Sequence, residues 1–152
     1  MKWGDVMKIT VHQHPNFREI EVIVNCSEEN ATVQKIVSRI KAIDATLYGT
    51  NQNGVVELAL DDILYIESVN RKTFLYTEEQ IYEIDKRLYE LEEYLSGKSY
   101  FRASKSIIIN LHRTKAIRPE IGARLLMTMD NGEKIIVSRQ YANNIKIALG
   151  VS

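Results

Sequence analysis

The stretch Phe101-Arg102-Ala103-Ser104-Lys105-Ser106-Ile107-Ile108-Ile109-Asn110-Leu111 joins a short cationic segment to three consecutive isoleucines. Isoleucine favours the extended backbone, and a run without polar alternation predicts a strand buried on both faces. The Arg, Ser and Lys side chains before that run are of the kinds that contact phosphate groups. We therefore predict a rigid strand with a binding loop at its start, suited to a polyanion better than to a small substrate.

A second stretch of this kind lies near the C-terminus. Lys134-Ile135-Ile136-Val137 is a strand candidate, and Asn131-Gly132 before it predicts a hairpin with residues 125–129. Ser138 can cap a helix that runs to about Leu149. The apolar spacing predicts that this helix buries Tyr141, Ile145, Ala148 and Leu149.

Between Gly54 and the first stretch the pattern predicts short strands and one helix. The strands are expected at residues 55–60, 63–67, 73–77 and 80–84, separated by polar turns. The helix is expected from a cap at Asp85 to Gly97, with Leu88, Leu91 and Leu95 along one face. This pattern predicts an α+β fold that is predominantly β.

The N-terminal part has a different pattern. Residues 8–12 and 19–24 alternate in polarity around His14-Pro15-Asn16 and predict a hairpin, and helical spacing follows from Ser27 or Asn30 to about Ala45. The polar run Asn51-Gln52-Asn53-Gly54 predicts a turn or a junction. We therefore expect a small ββα appendage in residues 1–50 and a second domain in residues 51–152.

Composition excludes several classes of protein. No apolar run reaches membrane-spanning length and no signal peptide pattern is present, so we expect a cytoplasmic protein. Cys26 is the single cysteine, which excludes an internal disulfide and is typical of a buried small residue. No Gly-rich phosphate loop, catalytic motif or metal-spaced cluster is present, and His12 with His14 lacks a third ligand. We expect no enzyme activity, no cofactor and no metal.

Charge is unevenly distributed along the chain. Residues 1–96 contain 10 Lys and Arg against 17 Asp and Glu, a balance of −7, and residues 97–152 contain 10 against 3, a balance of +7. This asymmetry favours a basic interaction surface in the C-terminal part, although mutual neutralisation of the two parts explains it as well.

Several motifs in order resemble those of the LytTR-type DNA-binding domain. They are Ile63-Leu64-Tyr65-Ile66-Glu67-Ser68, a Leu-rich helix, the stretch from Phe101 to Asn110, and Ile136-Val137-Ser138-Arg139-Gln140-Tyr141. The resemblance covers about Gly54 to Gly150. It implies an elongated set of small packed β-sheets with short helices, which reads successive major grooves of DNA with loop residues.

The resemblance also implies the contact residues. Arg139 would be the principal base reader, because its fork can bond both guanine acceptors in the major groove. Arg102 would support its loop or touch phosphate, and a surface salt bridge explains it equally well. Apart from the resemblance, Arg113 is a further cation that could neutralise phosphate. The full set of DNA-binding candidates is Asn70, Arg71, Lys72, Arg102, Ser104, Lys105, Ser106 and Arg139.

The resemblance leads us to expect a sequence-specific regulator of transcription that binds double-stranded DNA as a homodimer on repeated half-sites. Residues 1–50 are too few for a receiver domain, so the appendage would dimerise the chain or bind a regulatory protein, such as a membrane-bound one. A fragment from about Asn53 would then keep the sequence preference. Two alternatives remain open: a single-stranded DNA or RNA binder that uses tyrosines such as Tyr65 and Tyr76, and a module that docks an acidic protein.

Overall fold

The computed structural model of the protein describes residues 7–43 and 45–151. The helices in these residues are α1 Ala31–Ile43, α2 Leu88–Tyr94 and α3 Arg139–Leu149. The strands are β1 Thr46–Asn51, β2 Gly54–Ala59, β3 Tyr65–Val69, β4 Lys72–Tyr76, β5 Ile81–Ile84, β6 Tyr100–Arg102, β7 Ile107–Asn110, β8 Thr114–Glu120, β9 Arg124–Met129 and β10 Lys134–Val137. The predicted α+β fold with a predominance of strands is confirmed.

The strands form two antiparallel sheets. One has seven strands in the order β2-β1-β5-β4-β3-β7-β6, and the other has three in the order β10-β9-β8. The hairpin predicted from Asn131-Gly132 joins β9 to β10, with Gly132 at a φ of 86°. Strands β1 and β6 are the two that the sequence pattern did not predict.

The seven-stranded sheet has a core on each face. Ile108 lies in the core that contains Leu88 and Leu91 of α2 and Leu95, the C-cap of that helix. Its neighbour Ile109 points to the opposite face, into a core with residues of β9, β10 and α3. Successive strand residues point to opposite faces, so Ile108 faces one hydrophobic layer and Ile107 and Ile109 face the other. The prediction that this run is buried on both faces is confirmed.

A buried hydrogen-bond network closes the far end of β7. Asn110 is fully buried; its Nδ2 donates to the Ile63 oxygen at 3.1 Å and its Oδ1 accepts from Ser99 Oγ at 2.7 Å. Tyr100 donates its hydroxyl to the Leu60 and Ile63 oxygens. Buried polar groups need such partners, so Asn110 has a structural role at the start of a 3-10 turn, Leu111–Arg113.

The predicted N-terminal hairpin is wrong. Residues 7–30 contain no strand, and only the helical part of the ββα appendage forms, with Asn30 Oδ1 accepting from Val33 N. Ile9, Val11 and Ile20 are 80%, 86% and 96% exposed. Two strands without a third strand or a covering helix are marginal in water, and among the described residues no apolar layer covers these side chains. Cys26 is also exposed, against the prediction of burial.

The predicted boundary at residues 50 and 51 falls inside one hairpin. Asn51-Gln52-Asn53-Gly54 is the turn between β1 and β2, and β1 pairs with β5 within the large sheet. Gly49 of β1 permits this pairing, because a Cβ there would lie 2.5 Å from Tyr82 Cβ. Strand β1 therefore belongs to the same unit as residues 54–151.

The N-cap of α2 and the buried face of α3 differ from the predictions. Arg87, and not Asp85, is the N-cap of α2, and its backbone N donates to Glu90 Oε1 at 3.2 Å. In α3 the buried side chains are Ala142 and Ile145, whereas the Ala148 and Leu149 expected in the core are exposed. Within the described residues, no helix has the length and apolar character needed to cross a membrane.

Candidate nucleic-acid interface

Three of the predicted loops meet at one end of the seven-stranded sheet. The turn after β3 and the loop before β7 are adjacent because these strands are antiparallel, and Ser68 N donates to the Ser106 oxygen at 2.8 Å. The start of α3 joins them, since Ser138 N donates to the Ala103 oxygen at 2.8 Å. We call this end, with residues 70–72, 103–106 and 138–140, the loop edge.

A concavity of about 580 Å³ lies in the loop edge. Its lining brings together the two stretches from which the site was predicted. The lining residues are Ser104, Lys105, Ser106, Ser138, Arg139 and Gln140. Two cations and several hydroxyl or amide groups therefore share one surface, a composition that suits contact with a phosphate backbone and base edges.

The serine hydroxyls of this surface shape the loop. Ser104 Oγ accepts from Ser106 N at 3.2 Å and lies 3.4 Å from Ser106 Oγ. Both serines are half-buried, whereas Lys105 between them is exposed. The loop thus presents the Lys105 ammonium outward and uses its two hydroxyls largely on itself.

Arg139 is the first residue of α3 and is exposed. Its backbone follows Ser138, which is the N-cap in position but makes no capping hydrogen bond with its side chain. In the part of the chain that the structure describes, the Arg139 guanidinium forms no ion pair. A firmly held backbone and an uncommitted fork fit a residue that contacts an external ligand.

The turn Asn70-Arg71 has an unusual backbone. Both residues have positive φ, 51° and 67°, and they join Val69 of β3 to Lys72 of β4. Positive φ at both central positions is the geometry of a type I′ hairpin turn, in which glycine usually follows asparagine. Arg71 at the second position therefore has a backbone conformation that glycine usually adopts.

A second depression, of about 270 Å³, adjoins this turn. Ile84 of β5 pairs with Thr73 of β4, so the residues after β5 lie beside Arg71 and Lys72. Lys86 and Arg87 are the cations added there, together with the carboxylates of Glu83, Asp85 and Glu90. Sequence reasoning missed Lys86 and Arg87 beside the loop edge and Gln140 within it, because only the strand pairing and the helix start bring these residues to that surface.

Two predicted cations do not project from the loop edge. Arg113 follows β7 at the opposite end of the sheet and lies 2.9 Å from Asp130 Oδ2 and 3.2 Å from Glu78 Oε1. The Arg102 side chain is 15% exposed, and its Nη1 donates to the Lys105 oxygen at 2.7 Å. Arg113 is therefore engaged in ion pairs within the protein, and its contact with phosphate stays a prediction.

The tyrosines of the large sheet pack against each other. The Tyr65 and Tyr76 rings are stacked with centroids 4.4 Å apart and planes 14° apart. Burial, reinforced by the charge of Glu133, raises the pKa of Tyr65 to about 12. The ring faces that stack on each other are not available to bases, which disfavours a platform built from Tyr65 and Tyr76 in the single-strand alternative.

His12 and His14 are both exposed, and His14 Nδ1 accepts from the Asn16 backbone N at 3.1 Å. Among the described residues, no three His, Cys, Asp or Glu side chains are grouped in a way that could hold a metal ion.

The protein family of this chain is shown by its match to a known domain. Residues 53–150 match the model of the LytTr DNA-binding domain. The chain belongs to the LytTR DNA-binding domain family. The predicted resemblance is confirmed, and with it the prediction of a LytTR-like, predominantly β fold of packed sheets with short helices.

Related proteins support the same assignment. An uncharacterized HTH-type transcriptional regulator of Staphylococcus aureus strain NCTC 8325 is 25% identical over 148 residues, which cover 96% of this chain and all of that protein. Sensory transduction protein LytT of Enterococcus faecalis is 27% identical over 95 residues, 62% of this chain and 39% of that protein. A solved LytTr DNA-binding domain of a Bacillus cereus protein described as a methyl-accepting/DNA response regulator is 30% identical, with a TM-score of 0.66, and the match covers 70% of this chain and 98% of that one.

The arrangement of helices bears on how a LytTR domain can meet DNA. Five strands separate α1 from α2, and five more separate α2 from α3. The described residues therefore contain no pair of consecutive α-helices of the kind that forms a helix-turn-helix. In this chain the exposed cations of the loop edge lie in loops and at a helix start.

Proposed function

We propose that the protein is a sequence-specific regulator of transcription that binds double-stranded DNA through the loop edge. The observation that carries the proposal is the concavity in which Lys105 and Arg139 lie together, next to the Asn70-Arg71-Lys72 turn. Membership in the LytTR DNA-binding domain family supports DNA as the ligand. In this proposal, loop residues of that edge contact successive major grooves of the DNA.

Within the proposal, each candidate has a separate role. Arg139 reads a guanine edge, because a guanidinium can bond O6 and N7 together. Lys105, Arg71 and Lys72 neutralise phosphates, and Asn70 and the serines add polar contacts or hold the loops. Arg102 supports the loop at residues 104–106 from within the protein.

The proposal includes assembly as a homodimer on repeated half-sites. Residues 1–45 would govern that assembly or bind a regulatory protein, such as a membrane-bound one. The Ala45 oxygen accepts from Leu60 N at 3.1 Å, and Leu60 precedes β3, whose other end carries the loop edge. An attachment on the side away from the DNA would leave the N-terminal part free for a partner.

The test is selection of bound duplexes from a random pool, followed by footprinting and competition with single strands. We expect one recurring motif, present twice at a fixed spacing if the protein binds as a homodimer. Preference for single strands over every duplex would support the RNA or single-strand alternative. Absence of duplex binding at low salt would support the acidic-protein alternative.

Salt dependence tests the electrostatic part of the proposal. With Arg102 and Arg113 occupied inside the protein, four cations at the loop edge remain: Arg71, Lys72, Lys105 and Arg139. Three or four phosphate contacts give a slope of log affinity against log salt of about −3 to −4 per protomer. An affinity that does not change with salt would contradict this part.

A further inference from the structure

Arg102 lies between helix α2 and the loop at residues 104–106. Its Nη1 donates to the Lys105 oxygen at 2.7 Å and to the Ser104 oxygen at 3.2 Å. On the other side its Nε lies 3.3 Å from Glu92 Oε2 of α2. The guanidinium is thus directed into the protein, toward two loop carbonyls and one carboxylate, and its side chain is only 15% exposed.

We propose that Arg102 and Glu92 form a brace that fixes the loop in the shape required for DNA recognition. Arg102 is then a positioning residue and not a phosphate contact, and Glu92 increases sequence preference although it is an acid near a DNA-binding surface. The inference rests on the proposed function, since it assigns a role to residues behind the same site.

The brace acts on both sides of the concavity. Pinning the Ser104 and Lys105 carbonyls sets the direction in which the Lys105 side chain leaves the loop. Ala103, next to Arg102, is buried and accepts from Ser138 N at 2.8 Å. A shift of residues 102–105 would therefore move the start of α3 and with it Arg139. Contacts made by a site are sensitive to small displacements, so the brace sets the spacing of the two cations.

Arginine suits this role for a geometric reason. One guanidinium nitrogen, Nη1, donates to both loop carbonyls, while the Nε side of the charged plane forms an ion pair with the Glu92 carboxylate. Lysine keeps the charge and lacks the fork. Arg102→Lys therefore separates the two roles: a phosphate contact would be largely rescued by lysine, and a brace would not.

Glu92→Gln gives the sharpest distinction, because the two roles predict opposite signs. If Arg102 touches phosphate, removing its carboxylate partner frees a cation and strengthens binding to every duplex. If Arg102 is a brace, the variant loosens the loop and lowers the preference for the selected duplex over random duplex. We expect a loss of about two- to fivefold, the size of a partly exposed ion pair, and about tenfold for Arg102→Lys.

Glu93→Gln is the matched control. Glu93 is the next residue on α2, is exposed and has no ion pair among the described residues, so its substitution removes the same charge without touching Arg102. We expect Glu93→Gln to leave the preference unchanged or to raise affinity slightly for all duplexes. Equal effects of Glu92→Gln and Glu93→Gln would overturn the brace, and so would a gain in affinity in Glu92→Gln alone.

Amide hydrogen exchange of the full chain without DNA tests the brace independently of DNA binding. Amide hydrogen exchange of the segment 103–107 should become faster in Glu92→Gln and Arg102→Lys and stay unchanged in Glu93→Gln, with similar melting temperatures. Unchanged exchange in all three variants would overturn the brace. If wild-type protein prefers no duplex over another, the proposed function fails, while the exchange result still decides the brace.

Discussion

At the scale of single residues, Arg71 combines an unfavourable backbone with an exposed charge. A φ of 67° is adopted by glycine without strain, whereas other residues lose about 1–2 kcal/mol in the left-handed region. A residue that strains its turn and makes no ion pair within the described chain is best explained by an external contact.

We expect Arg71→Gly to separate stability from binding. Relief of strain outweighs the entropy that glycine loses on folding, about 0.5–1 kcal/mol, so the free energy of unfolding should stay equal or rise by up to about 1 kcal/mol. Duplex affinity should fall, with a shallower salt slope. Thermal melting and binding at several salt concentrations provide the check. A lower melting temperature with unchanged affinity would show that Arg71 serves the turn.

Substitution of Arg139 and substitution of Lys105 should weaken DNA binding in different ways. Arg139→Ala should reduce the preference for the selected duplex by about 1–3 kcal/mol, and Arg139→Lys should restore non-specific affinity without restoring the preference. Lys105→Ala should weaken binding to all duplexes more evenly. Binding to selected and scrambled duplexes measures both. A large fall in melting temperature in Arg139→Ala with an unchanged preference would contradict the assignment.

Residue types alone could not decide which cations reach outward. Arg102 and Arg113 are as basic as Arg139, yet one is directed at loop carbonyls and the other at Asp130. Cys26 was predicted to be buried because free cysteines usually are. Its side chain is exposed, since no other part of the described chain packs over this segment. Such outcomes depend on tertiary neighbours that no local pattern encodes.

At the scale of elements, prediction succeeded where apolar pattern and turn chemistry agreed. The isoleucine run and the Asn131-Gly132 turn gave β7 and the β9–β10 hairpin. Strand β1 was missed because Gly49 weakens its strand signal, and β6 because it has three residues. The N-terminal hairpin has the alternation of strands but no layer to pack on, so alternation alone was misleading.

The β1 pairing changes the expected behaviour of fragments. A fragment beginning at Ala45 should fold and keep the sequence preference, with weaker binding if dimerisation is lost. A fragment beginning at Asn53 lacks β1, which removes Leu47 from the core and uncovers Leu58 and Tyr82. We therefore expect its melting temperature to be clearly lower. Thermal melting and duplex selection with both fragments decide this; a different preferred motif from the Ala45 fragment would refute the division of roles.

At the scale of the whole molecule, helix α1 contributes charge near the end of the sheet opposite the loop edge. Arg39 and Lys35 of α1 and Asp61 surround His112, whose Nδ1 lies 3.7 Å from Asp61 Oδ1. Burial, assisted by the charge of Arg39, lowers the pKa of His112 below its ordinary value of 6.5 despite the opposing effect of Asp61. His112 is therefore neutral in the folded protein at neutral pH.

This lowered pKa predicts that stability falls in mild acid. Near pH 6.5 the unfolded chain takes up a proton on His112 that the folded protein accepts only at lower pH, so protons favour unfolding. The stability that neutral His112 provides to the folded protein is fully present above pH 6.5 and is lost as the pH falls below it. Melting temperatures at pH 7.5 and 5.5 should differ more for wild type than for His112→Gln. An equal difference in both proteins would contradict the lowered pKa.

The central claim is that an arginine at the loop edge reads a base in the major groove. The most direct measurement is the affinity of wild type and Arg139→Ala for the selected duplex with single guanines replaced by 7-deazaguanine, which keeps base pairing and removes the N7 acceptor. At one guanine per half-site we predict a loss of up to about 1–3 kcal/mol for wild type and no further loss for Arg139→Ala. Full affinity of wild type for every substituted duplex, or an equal loss in both proteins, would contradict the account.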